Sequence, residues 1–458
     1  MNTKASPLFR RSHDTDMTEG SVARHLLLFA LPLIAGNLFQ QLYNMVDTWV
    51  VGNFVSDEAF SAVGSVSPII NILIFFFMGL ANGGGVVISQ YFGAQDRDSV
   101  SRAAHTAIVM TAALAAVFTV IGLAAAPGML RLMKTPADVF PESQRYLRIY
   151  FSGVAGLLFY NMGAGILRAV GDSTRPFFYL VAASVTNIAL DLLLVIRFGM
   201  GVEGVAYATV ISQACSAALV IRTLLTTDSA VRISPRKLHV DWTLLRKMVY
   251  IGLPAAIQSA ITSFSNVFVQ SYINQFGKEA MGGWTVYAKV DAINFLPMQS
   301  LQMSAMTFVG QNLGKNQVER AKRGANTAVA MAVGITALTT VGIVALAPSI
   351  VWFFNKNEAV LAYGTLLLRR LVPIQPVGGI SQVYAGALRG SGDSRAPMYI
   401  MLFSYVVFRQ AYLFLFSHFI ANEFLPLAMG YPLGWICCTI LTVLYYRRTN
   451  FGAKRITG

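Results

Sequence analysis

Twelve apolar segments, each of about 20 residues or more, follow one another along this chain, at roughly 26–51, 61–92, 103–126, 143–168, 176–197, 202–225, 247–275, 280–311, 325–347, 360–388, 397–420 and 427–446. Helices of that length cross a hydrocarbon core of ~30 Å. Lipid offers the backbone no hydrogen-bond partners, so only helices and closed barrels can span it. These segments lack the short alternating pattern of barrel strands. The expected fold class is therefore an all-α membrane protein of twelve transmembrane helices. Composition agrees: 55% of the 458 residues are hydrophobic and 12% charged, against about a quarter charged in soluble domains.

The formal charge of +14 could suggest nucleic acid, but the basic residues sit in short loops, where insertion rules and lipid head groups place them. With twelve spans, 24 of the 35 Lys and Arg fall on the side of the termini and 5 on the other. That asymmetry puts both termini in the cytoplasm of a multi-pass cell (inner) membrane protein. The first 24 residues lack a signal-type apolar run. Cys215, Cys437 and Cys438 lie in apolar stretches without metal spacing, and no phosphate loop, zinc motif or nucleophile elbow appears, so neither an enzyme nor a bound cofactor is expected.

A self-similarity at an offset of 221–222 residues organises the chain. Leu167-Arg168-Ala169-Val170-Gly171-Asp172-Ser173 recurs as Leu388-Arg389-Gly390-Ser391-Gly392-Asp393-Ser394, and Gln90-Tyr91-Phe92-Gly93 as Gln311-Asn312-Leu313-Gly314. Leu31-Pro32 matches Leu253-Pro254, and Asn44 matches Asn266. Six spans separate equivalent points, so the two copies run parallel, related by an axis along the membrane normal. The expected organisation is a tail (1–25), a six-helix bundle (26–225), a basic linker (226–246), a second bundle (247–446) and a tail (447–458). Two such pseudo-symmetric bundles flanking a cleft form an alternating-access architecture. In the repeated loop, Gly allows φ > 0 and Asp or Ser caps the next helix. Arg168 and Arg389 would meet lipid phosphate or an opposing helix end.

Several motifs resemble one family. Pro32, Tyr43-Asn44-Met45-Val46-Asp47 and Gly52 resemble the first span of multidrug and toxic compound extrusion (MATE) transporters. Leu167 to Asp172, Asn187-Ile188-Ala189-Leu190-Asp191, Gly204 to Thr209 and Gly310-Gln311-Asn312-Leu313-Gly314 resemble further signatures of that family, in order and over nearly the whole chain. The resemblance implies secondary active export of organic, often cationic, amphipathic compounds by antiport with H⁺ or Na⁺. A flippase of lipid-linked oligosaccharide precursors from the same superfamily is the alternative; it would present a cleft rich in Arg and Lys.

Of 21 acidic residues, three lie well inside spans: Asp47, Asp191 and Asp291. An intramembrane carboxylate is costly and marks function by default. Asn37, Gln40, Asn44 and Asp47 share one helix face, as do Ser184, Asn187 and Asp191. Counting ~1.5 Å per residue from the nearer loop puts Asp47 and Asp191 roughly 8–9 Å below the outer surface and Thr209 about 12 Å. Asp47, Asn187, Asp191 and Thr209 can therefore meet in the first bundle, and the resemblance assigns the family's proton or Na⁺ site to these positions, with Asn44 beside them. The competing reading is a structural Asp that pins neighbouring helices.

The second half differs: no acid matches Asp47, and the offset pairs Asp191 with Tyr412. This favours coupling in the first half. Gln40, Gln258, Gln302, Lys289, Asp291, Met298, Met303 and Met306 are candidates for a substrate cleft, Met being suited to promiscuous apolar binding. Ordinary lipid-facing filler is the competing reading for the methionines, and pairing with a neighbouring helix that for Lys289 and Asp291. Small organic substrates and the lipid bilayer are the expected partners, with a monomer as the unit.

Overall fold

The computed structural model describes residues 14–55, 57–133, 135–420 and 422–457, and every regular element among them is helical. The first half contains α1 (Val22–Phe54), α2 (Asp57–Gly93), α3 (Arg97–Leu132), α4 (Phe140–Ser152), α5 (Val154–Ala169), α6 (Thr174–Asp191) and α7 (Gly201–Thr226). The second contains α8 (Trp242–Asn274), α9 (Lys278–Gly314), α10 (Val318–Ala345), α11 (Ala347–Phe354), α12 (Glu358–Leu371), α13 (Gln375–Gly390), α14 (Arg395–Leu402), α15 (Arg409–Leu415), α16 (Phe424–Ala428) and α17 (Gly430–Arg448). Among the described residues nine helical segments are long and apolar enough to cross a membrane, and α4 with α5, bent by 46°, makes a tenth if the pair is one span. The other two apolar segments of the sequence, 280–311 and 360–388, are occupied by α9, which carries Lys289 and Asp291, and by α12 followed by α13.

The chain divides into two compact units. The first comprises the described part of Met1–Asp16 with Ala35–Leu253; the second comprises Met17–Ile34 with Pro254–Gly458. The stretch from Met17, expected as a free tail, is built into the second unit. Met17 is fully buried, its amide donates to Gln311 Oε1 at 2.9 Å, and Arg320 Nη2 donates to its carbonyl at 3.1 Å. Lys315 Nζ reaches Thr18 Oγ1 and Glu19 Oε1 at 3.0 and 2.9 Å. In the first unit the basic linker is tied to α3: Asp241 N donates to Thr106 Oγ1 and Ser234 N to His105 Nε2, both at 3.0 Å.

The repeat is visible in the packing. A Cβ added to Gly165 on α5 would lie 3.2 Å from Ala81 O on α2, and one added to Gly386 on α13 would lie 2.4 Å from Gln302 O on α9. Both partners match at an offset of 221. The two loops also share their chemistry. Gly171 and Gly392 take φ of +85° and +102°. Asp172 Oδ1 accepts from the amides of Thr174 and Arg175 at 3.1 and 3.0 Å, and Asp393 Oδ1 from Ala396 N at 3.2 Å. These carboxylates satisfy donors that a helix start leaves open.

Arg389 departs from its expectation: it is buried and donates to Gln258 Oε1 at 2.5 Å, so no lipid phosphate meets it. Asp393 is also bonded by Tyr445 Oη at 2.6 Å and Lys454 Nζ at 3.0 Å. Burial works to raise its carboxyl, but the bonds from Tyr445, Lys454 and the Ala396 amide outweigh it and hold Asp393 below the usual carboxylate range.

Two outcomes follow for the purified protein. Gly386→Ala should lower the thermal midpoint, since overpacking typically costs about 1–3 kcal/mol, while Gly334→Ala, with nothing within 4 Å of an added Cβ, should leave it unchanged or slightly higher. A depressed folded-state pKa contributes stability above the unfolded-state value of ~3.9, lost as pH falls through the folded one. Asp393→Asn should therefore destabilise at neutral pH, and its deficit should close on acidification below that range.

Candidate ion-coupling site

Three helices of the first unit bring the site together. On α6, Ser184, Asn187 and Asp191 recur at four-residue intervals or nearly so, and all are buried, Asp191 completely. Directly after Asp191 the helix widens into a π turn, Leu192–Arg197, a distortion often found at functional sites. On α1, Asp47 turns its carboxyl toward that of Asp191, close enough for the two to share a proton.

No other described group completes them. Asp47 Oδ1, both carboxyl oxygens of Asp191, and both Oδ1 and Nδ2 of Asn187 are buried without a hydrogen-bond partner. More than nine in ten buried polar groups in folded proteins have one. Five orphaned atoms on three neighbouring side chains are thus a concentrated deficit, and four of the five are acceptors. Acceptors grouped in this way have the chemistry to take a proton or a hard cation.

The surroundings sharpen this. Tyr146 on α4 interacts with Asp47 and meets Thr209 on α7 through its hydroxyl. Thr209 Oγ1 donates to Val205 O at 3.0 Å, so its oxygen accepts from Tyr146 and keeps one lone pair for a further donor or cation. Tyr43 faces both carboxyls and is bonded to Gln40. Behind these groups stands an apolar wall that includes Val50, Val66, Leu147, Val205 and Ala206. In so low a dielectric, two adjacent carboxylate charges repel strongly. Both cannot persist unless a proton is shared between them or a cation enters.

The structure brings together Asp47, Asn187 and Asp191, with Thr209 joined through Tyr146. Asn44 is exposed on α1. Tyr146 was not singled out from the sequence; its only signal is a tyrosine on the buried face of an amphipathic helix, stacked on Tyr150 with ring centroids 6.4 Å apart.

The second-half cleft candidates are placed differently. Met298 and Met306 are buried inside the second unit, and Met303 packs against a core that includes Leu301 and Ala305. A Cβ added to Gly379 on α13 would lie 3.2 Å from Met298 Sδ, and one added to Gly390 would lie 2.4 Å from Met306 O, so these two methionines lie where α9 and α13 approach closely. Gln302 lies at the Gly386 contact, and Gln258 holds Arg389. Lys289 and Asp291 part company: Lys289 is exposed and lies 5.5 Å from the centre of the Phe354 ring. Asp291 Oδ1 accepts from Gln375 Nε2 at 3.0 Å and Tyr287 Oη at 3.3 Å. Asn294 and Thr339 extend that network through short bonds.

The MatE family model matches residues 32–193 and again residues 254–415. The chain belongs to the MATE family. Its two matches lie 222 residues apart, the spacing of the repeat. Among MATE relatives, a probable multidrug resistance protein of Bacillus subtilis, YoeA, is 29% identical over 98% of this chain and 97% of its own length. A probable multidrug resistance protein of Thermotoga maritima, NorM, is 24% identical over 84% and 83%. A crystal structure of a MATE protein in the straight conformation superposes with a TM-score of 0.89 at 23% identity, covering 95% of this chain and 98% of that one. The outward-facing structure of a MATE multidrug resistance transporter superposes at 0.88. These likenesses establish the fold of a multi-pass membrane transporter with twelve transmembrane helices.

The orphaned acids predict a stability gain on neutralisation. In sodium-free buffer on the alkaline side of neutral, Asp191→Asn should raise the thermal midpoint, by an amount reflecting the ~1–3 kcal/mol penalty of an unsatisfied buried polar group. A fall would mean that the carboxyl already has a partner.

Proposed function

We propose that this protein is a secondary active exporter that expels organic, often cationic and amphipathic compounds by antiport with H⁺ or Na⁺. The observation that carries the reading is the carboxyl pair of Asp47 and Asp191 beside Asn187, in which Asp47 Oδ1 and both oxygens of Asp191 are buried without a hydrogen-bond partner. The names of MATE relatives support multidrug compounds as the cargo.

The coupling follows from electrostatics. With the site empty, two carboxylates face each other in apolar surroundings and hold α1 and α6 apart. A proton or Na⁺ removes that repulsion and lets the two helices close on each other. Oxygen donors from Asp47, Asp191, Asn187 and Thr209 suit a hard cation as well as a proton. A ligand shifts a conformational equilibrium only by its differential affinity for the two states. Repacking α1 and α6 on ion entry supplies that difference if the loaded state grips cargo less tightly when open to the outside. The ion then moves down its gradient as the cargo leaves. In this reading Asp47 and Asp191 are ion-binding groups, Thr209 and Asn187 complete the shell, and Tyr146 positions Thr209. The protein acts as a monomer in the cell (inner) membrane with both termini in the cytoplasm, and it is not an enzyme.

Dye efflux in energised inverted vesicles, with a pH or a Na⁺ gradient imposed separately, tests the proposal. The parent should extrude dye under one of the two gradients, and Asp47→Asn and Asp191→Asn should each lose most of that activity. Extrusion by both variants at the parental rate would sink it. Thermal stabilisation of the parent by Na⁺, absent in both variants, would identify sodium as the coupling ion.

A further inference from the structure

The second unit holds a charge of the opposite sign at the matching place. Arg409, the first residue of α15, is only 2% exposed. Its span runs Arg395–Ile420, so it lies ~21 Å along the helix from one end and ~16 Å from the other at 1.5 Å per residue. No lipid head group reaches that depth. Its Nη2 donates to Asn266 Oδ1 at 2.8 Å and Ser265 Oγ at 3.0 Å on α8. Its guanidinium carbon lies 4.8 Å from the centre of the Tyr431 ring and 5.9 Å from that of Tyr405. The Tyr431 hydroxyl also bonds the guanidinium, and all four partners are neutral. Its Nε is buried without an acceptor.

The pattern recurs two turns along the same helix. Gln258 and Ser265 are seven residues apart and share a face of α8. Gln258 receives Arg389, which is 5% exposed and again has a buried Nε without an acceptor. Among the described residues no Asp or Glu forms an ion pair with either arginine. Buried arginines are almost always paired, since an uncompensated charge in a low dielectric is among the costliest features a fold can carry. Here there are two in one helix bundle, and the counter-charge is missing.

The repeat explains how this arose. Between α14 and α15 the helix passes through a π turn, Phe403–Phe408. An i→i+5 turn takes up one residue more than an α turn, which moves the offset from 221 to 222. The family matches both begin and end 222 apart, at 32 and 254 and at 193 and 415. Arg409 then falls on the position of Asn187, and its partner Asn266 on that of Asn44. The place that gathers unfilled acceptors in the first unit gathers unfilled donors in the second.

We propose that Arg409, with Arg389 as a second station along α8, forms a binding site in the second unit for a small organic carboxylate or oxyanion. The planar fork of Arg matches such groups in two-point contact, and the Tyr431 and Tyr405 rings supply a flat apolar flank. The shared chemistry could be that of an acidic group on a transported compound or of a free inorganic anion. The site does not rest on cation coupling in the first unit, so either reading can fail alone.

The test uses the full-length protein in detergent or nanodiscs at fixed pH and fixed sodium. Benzoate, acetate, phosphate and chloride are titrated as sodium salts against gluconate at constant ionic strength, with the thermal midpoint as readout. Benzoate should give a saturable rise. Phosphate saturating more tightly than benzoate would point to a free inorganic anion as the source, and the reverse order to an acidic group on cargo. Arg409→Lys should keep the response, and Arg409→Gln should weaken it by about thirtyfold or more, as expected when one partner of a buried charge pair is removed. Asn266→Asp guards against a variant that fails to fold. It places a fixed carboxylate in hydrogen-bond reach of the guanidinium, so it should abolish the response while being as stable without anion as the parent is with it. No stabilisation by any carboxylate or phosphate, an effect of chloride alone, or an undiminished response in Asn266→Asp would each overturn the proposal.

Discussion

An ionised group in hydrocarbon must be given a counter-charge, a proton or a polar shell, and much of this molecule follows from how each buried charge meets that demand. Asp291 is met by Tyr287 and Gln375, and Asp393 by Lys454, Tyr445 and a helix amide. Asp172 is met by Arg175 and the next helix start. Against this background the acids of α1 and α6 stand out as groups that the fold leaves unfinished. Asp172, Asp291 and Asp393 each find partners within the fold, so the pair on α1 and α6 is most simply read as a receptor for something that comes and goes.

The architecture was legible in the sequence to a large degree because its causes are local. Span length, the bias of Lys and Arg, and recurring Gly, Pro and Asp each act within a few residues. Asp47, Asn187, Asp191 and Thr209 could be brought to one depth because a helix rises by a fixed step. The loop glycines and aspartates do what their residue types predict, with Gly171 and Gly392 at positive φ and both aspartates capping.

What stayed hidden depends on partners far away in the chain. Tyr146 looks like any amphipathic-helix tyrosine until α1 and α7 are placed beside it. The role of Met17 rests on Gln311 and Arg320, some 300 residues away. Met298, Met303 and Met306 carry no mark that separates a pliable surface from interior packing; the closeness of α13, made possible by Gly386 and Gly390, decides it. The pairing of Asp191 with Tyr412 assumed an unbroken α-helical register, and a single π turn invalidates it.

That π turn has an evolutionary consequence. A π turn takes up one residue more than an α turn, so an additional codon is absorbed within it and everything beyond keeps its face while its number moves by one. Two halves that began as copies can thereby differ in length while their inward-facing positions stay in correspondence. A single substitution at such a position, Arg409 against Asn187, then changes the chemistry turned inward without rebuilding the surrounding bundle.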